Sequence, residues 1–149
     1  MEKYCGRPPD FEARILRSHA AIPHDHILIC MGDVCMGKDA AMHATWVNKI
    51  PCRKWLIIGN HDRQGRDWYL SHGWEFVSEI PMRFRVGKEW VWLSHEPMPI
   101  SELGGLKNLH GHCHLGEFRE TPDDDSHILI SMEKSNYAPF VLDERILKI

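Results

Sequence analysis

The sequence predicts one α/β domain, a layered sandwich of mixed sheets with helices against them, and three observations carry that expectation. Two short apolar runs, residues 26–31 and 55–58, each end in glycine plus a polar residue and suit strands buried on both faces. Segments with helical spacing separate these runs. Beyond Glu75 the pattern changes to hairpin logic, with 82–86 and 89–94 joined by Gly87-Lys88, a two-residue turn open to the II′ form. The chain has 149 residues, 43% hydrophobic, enough for a core without disulfide staples.

In order along the chain, Asp10 can cap a helix from Phe11 to about Ala20, with Phe11, Ile15 and Leu16 inward. The strand at Ile27 follows Pro23. A second helix fits Asp39 to Lys49, stopped before Pro51, and a third runs from about Asp67 to His72 with Gly73 at its C-cap. His95-Glu96-Pro97-Met98-Pro99 is loop. A strand leads into His110, another is expected over 127–133, and a helix over about 142–148 closes the chain.

Bulk properties exclude several functions. The 18 basic and 21 acidic residues give no overall field for nucleic acid. No apolar run approaches a membrane span and the first residues have no signal core, so the cytosol is the expected compartment. Cys5, Cys30, Cys35, Cys52 and Cys113 are odd in number and lack C-x-x-C spacing; reduced, mostly core thiols are expected. Eleven histidines are the unusual feature, and they direct attention to metal ligation or proton transfer.

Four polar clusters follow predicted strands directly: Gly32-Asp33, Gly59-Asn60-His61-Asp62, Ser94-His95 and Gly111-His112-Cys113-His114. Ligands of open α/β sheets gather at the carboxyl ends of strands, so the clusters can converge on one crevice. In an extended segment His112 and His114 would share a face with Cys113 opposite. Imidazole, carboxylate and amide oxygen form a borderline-hard set suited to Mn, Fe, Zn or Ni. Asp62, next to His61, is expected to orient that imidazole. Arg63 and Arg66 after the same turn are candidate phosphate-holding donors.

In this order, GD, GNHD, SH and GHCH, the chain resembles the calcineurin-like metallophosphoesterases, within them the short bacterial and phage members, and residues Tyr4 to Pro8 also resemble that branch. The resemblance spans nearly the whole chain. It implies a four-layer α/β/β/α sandwich of two mixed sheets, two divalent metals, and hydrolysis of phosphomono- or phosphodiesters. By it Asp33 would bridge the metals, Asn60, His95 and His112 would complete one site, and His114 would serve the other. His61, held by Asp62, would protonate or stabilise the leaving group.

The chain departs from that pattern in one place. The family's opening strand, which ends in D-x-H and supplies two ligands to the metal served by His114, has no counterpart before Asp33. The expectation is a chain without its natural beginning, lacking the first central strand. His24, Asp25 and His26 are poor substitutes, because they stand at the entry of a strand instead of its exit. The alternative is a one-metal binding or interaction module, catalytically impaired, built on Asp33, Asn60, His95 and His112.

Overall fold

The structure, a computed structural model, describes residues 6–114, 122 and 124–148. It is an α/β fold with two sheets. The elements in chain order are α1 (Phe11–Ala20), β1 (Ile27–Cys30), α2 (Asp39–Thr45), β2 (Arg53–Ile57), α3 (Arg66–Ser71), β3 (Phe76–Ser78), β4 (Met82–Val86), β5 (Glu89–Ser94), β6 (Lys107–His110) and β7 (His127–Leu129). Single 3-10 turns occupy Val47–Lys49, Ile100–Glu102, Met132–Ser135 and Ile146–Lys148.

The first sheet has the order β1-β2-β3 and is wholly parallel, not mixed. The second has the order β4-β5-β6-β7, with β4 antiparallel to β5 and the other pairs parallel. Among the described residues only β4–β5 is a hairpin. Its Val86↔Glu89 register leaves Gly87-Lys88 as the turn, with Gly87 at φ +59° as a II′ turn requires. The expected run of hairpins fails because the connections 95–106 and 111–126 are long enough for parallel crossovers.

Residues 76–78 were not expected as a strand. They join β2 because the Phe76 ring meets Trp55 at a centroid distance of 5.5 Å and Val77 fills the helix-side core. The helix expected over 39–49 breaks at Trp46 and finishes as a 3-10 turn. The last strand stops at Leu129, and the expected terminal helix shrinks to the turn Ile146–Lys148, which buries only Ile146. So short a segment, with one residue anchored, does not offset the cost of helix nucleation. Asp10 precedes α1 without capping it through its side chain, which instead accepts from Arg14 Nε at 3.0 Å.

Strand alternation builds two cores. Ile57 of β2 joins Val91, Leu93, Leu109 and Ile128 between the sheets, while its neighbour Leu56 faces the helices with Val47, Tyr69 and Trp74. The outer face of the second sheet carries Trp92 and Asn108, covered by segment 96–106 through the Trp92 Nε1 bond to the Leu103 carbonyl at 3.2 Å. Among the described residues no helix is long and apolar enough to cross a membrane. Cys35, Cys52 and Cys113 are buried and Cys30 is half-buried. Burial pushes the Cys30 and Cys35 thiols up to about 12, which leaves them unreactive.

Candidate metal centre

Asp33 follows β1, Asn60 follows β2, His95 follows β5 and His112 follows β6 closely, so the carboxyl ends of strands from both sheets face one another. The approach is tight. A side chain at Gly32 would collide with the His95 ring and the Gly59 backbone, and a Cβ at Gly59 would lie 2.5 Å from Asp33 Oδ1 and 2.8 Å from His95 Cε1. Glycine is therefore required where the two sheets meet. Asp33 and His112 themselves hold φ of +56° and +64°, a left-handed conformation disfavoured for residues with a side chain. Such strain concentrates at functional sites.

Asp33, His95 and His112 present ligand atoms within 4.8 Å of one another and could hold a metal ion. The hydrogen-bond pattern tests that fit. His95 Nδ1 lies 2.8 Å from the Met31 carbonyl oxygen, which can only accept, so Nδ1 carries the proton. In the neutral ring Nε2 then offers a lone pair. It faces Asn60 Oδ1 at 2.8 Å, His112 Nδ1 at 3.0 Å and Asp33 Oδ2 at 3.5 Å. Asn60 Oδ1 is also 2.9 Å from His112 Nδ1. Asn60 Oδ1 and Asp33 Oδ2 can only accept, and a divalent cation among these atoms would satisfy them together with the two imidazoles. Contacts of roughly 3 Å match the edge of an octahedron whose ligands stand about 2.1 Å from its centre.

Asp62 does not orient His61. Its carboxylate accepts the main-chain N–H of Gly59 at 2.8 Å, of Asp33 at 2.8 Å and of Val34 at 2.9 Å. It ties the β1 loop to the β2 loop. Burial pushes this carboxyl up, and the three N–H groups pull the other way. Asp33 Oδ1 returns the link by accepting the His61 N–H at 2.8 Å. The half-buried His61 imidazole is therefore carried on a loop that Asp33 and Asp62 hold from both sides.

His114 is not brought into the cluster. The extended geometry expected for 111–114 fails: His112 is left-handed and Cys113 N–H turns back to the Gly111 carbonyl at 2.7 Å. His114 Nδ1 instead stands 3.2 Å from Arg7 Nη2 and 3.3 Å from Glu133 Oε1. Burial pushes the Glu133 carboxyl up, and the His114 and Arg7 groups beside it outweigh that and hold it at about 2. Arg66 is about half exposed, and its Nε donates to the Val77 carbonyl at 3.3 Å while its Nη groups stay open to solvent. Arg63 is exposed and borders a shallow depression with Lys38, Asp39 and Gln64. His26 contacts its neighbour Asp25 at the entry of β1, away from the strand exits.

Sequence reasoning missed two supports of the centre and the carboxylate beside His114. The Met31 carbonyl sets the His95 tautomer, and no side-chain pattern signals a backbone oxygen. Asn108, fully buried, accepts the Met98 N–H at 2.9 Å and donates to Ser94 Oγ at 2.9 Å, clamping the loop that begins at His95. Glu133 carries no motif. His110, beside the cluster in sequence, is buried with Nδ1 on the Gly111 carbonyl at 3.0 Å.

Comparison with known proteins adds one likeness. No protein-family model and no curated protein matches the chain. Among solved structures it is similar to the protein of unknown function AQ665 from Aquifex aeolicus, at 21% identity and a TM-score of 0.70, over 95% of this chain and 86% of that one. That likeness shows the fold.

Proposed function

We propose that the chain is a metal-dependent phosphoesterase of the calcineurin-like metallophosphoesterase kind, hydrolysing phosphomono- or phosphodiesters. The observation that supports this most directly is the convergence of the ligand-type side chains Asp33, Asn60, His95 and His112 at the strand exits. These four residues would hold a divalent cation, with Mn, Fe, Zn and Ni suited to two imidazoles, a carboxylate and an amide oxygen. Such a cation supplies Lewis acidity toward a phosphoryl oxygen and acidifies water near neutral pH.

The rest falls to the chain's own groups. The Met31 carbonyl fixes the His95 tautomer so that Nε2 faces inward. Asp62 keeps Asp33 and Asn60 in register by gripping both loops. His61 is the proton donor to the departing alkoxide, a role typically contributing about a hundredfold or more. Arg63 and Arg66 are the side chains after that turn able to meet the phosphate's peripheral oxygens.

The test is hydrolysis of an aryl phosphate mono- or diester by purified protein supplied with Mn²⁺. Asp33→Ala and His112→Ala should each abolish it, and rates in both variants equal to the parent's would refute the reading. A one-metal binding module is the second reading, favoured by the position of His114 on Arg7 and Glu133. It predicts one bound ion per chain and no turnover.

A further inference from the structure

Two residues beyond His112, a second set of metal-type ligands already faces a cation from the chain itself. Glu133 Oε1 and His114 Nδ1 are 3.3 Å apart, and the Arg7 guanidinium spans them with Nε 2.8 Å from the oxygen and Nη2 3.2 Å from the nitrogen. A carboxylate oxygen and an imidazole nitrogen at that separation are a chelating pair. A guanidinium offers only donors and never deprotonates in a protein, so Arg7 is the permanent positive charge within reach of both atoms.

The cluster is enclosed rather than solvated. The Arg7 and Glu133 side chains are 11% and 7% exposed, and the guanidinium also lies 5.2 Å from the centre of the Phe11 ring of α1. Glu133 Oε2 is buried with no hydrogen-bond partner among the described residues. The pair therefore keeps acceptor capacity that two directional N–H donors do not saturate.

We infer that Arg7 fills a second cation position beside the metal centre, so that the protein takes one metal ion per chain, and that removing the guanidinium opens Glu133 and His114 to a second ion. This rests on reading Asp33, Asn60, His95 and His112 as the first ion's site. A permanent charge held by one chain contact on each side is not displaced as water would be. The position thus supplies fixed positive charge without an exchangeable metal.

Equilibrium dialysis of the full chain against Mn²⁺, after chelator stripping, tests the inference by counting ions. The wild type and His114→Ala should each hold one, Arg7→Met two, and Arg7→Met with His114→Ala one again. Two ions in the wild type, or one in a folded Arg7→Met protein, overturns the inference and leaves the first site standing. Loss of the single ion in His114→Ala also overturns it, and that variant does not depend on Arg7→Met folding. No ion in the wild type, with Asp33→Ala identical, overturns the first site and the inference together.

Discussion

Replacing Asp62 with alanine removes, in one step, the acceptor of three backbone N–H groups at the junction of the two loops that carry Asp33 and Asn60. Each buried donor left without an acceptor costs about 1–3 kcal/mol, so three give roughly 3–9 kcal/mol. Two corrections lower that figure. The carboxylate is itself desolvated, as the upward push on its pKa records, and its loss recovers part of that penalty. Asp33 and Val34 are only half-buried, so water can reach their N–H groups once the carboxylate is gone. The expected cost is about 3–4 kcal/mol, a large share of the roughly 5–15 kcal/mol typical of a domain. Urea unfolding of the metal-free protein, followed by tryptophan fluorescence, should show the midpoint lowered by about 1.5–2 M with the slope unchanged. Asp62→Asn keeps one acceptor oxygen and should fall between. Asp67→Ala, whose side chain is 97% exposed, is the control and should match the parent. An Asp62→Ala protein within about 1 kcal/mol of wild type would show that the carboxylate does not tie the loops.

His43 is fully buried, with Nδ1 on the Asp39 carbonyl at 2.8 Å and Nε2 accepting from Trp74 Nε1 at 2.8 Å, so the ring is neutral and burial lowers its pKa below 6.5. Its stabilisation is fully present above about pH 6.5 and is lost as pH falls toward the lowered folded value, because the unfolded chain then binds the extra proton. In that window stability should drop by up to about 1.4 kcal/mol per pH unit from this group, and His43→Gln should flatten the acid limb of unfolding curves; an unchanged limb would count against it. Gly59→Ala places a methyl 2.5 Å from Asp33 Oδ1, and calorimetry should find Mn²⁺ affinity lowered at least about tenfold, whereas Gly65→Ala, with nothing nearby, should leave it intact. Asn108→Leu orphans the Met98 N–H and should cost about 2–4 kcal/mol in denaturant unfolding; a loss below about 0.5 kcal/mol would mean the 95–98 loop holds itself.

The features legible in advance are those with a local cause. β1, β2, β4 and β5 are short apolar or alternating runs bounded by turn residues, and the Gly87-Lys88 hairpin follows from a glycine at the one position that needs positive φ. β3 was not legible, because three residues carry too little periodicity and are strand only by lying along β2. The crossovers after β5 and β6 were read as hairpins for a related reason: strand direction is set by where long connections dock. Asp33, Asn60, His95 and His112 stood out as polar residues at strand exits, whereas Glu133 has no such placement and Asp62 was assigned to its sequence neighbour.

By itself the sequence determined the α/β class, the strands that end in glycine, and the residues whose chemistry suits a cation, since apolar spacing and ligand type are properties of a single chain segment. Only the tertiary structure decided which of those residues meet. A left-handed φ at His112 separates two histidines that alternation would have put on one face, the main-chain N–H groups of Asp33 and Val34 settle the role of Asp62, and Arg7, distant in sequence, takes the place beside His114. Each depends on a backbone angle or a contact between segments far apart in the chain, and neither is encoded in the spacing of residue types.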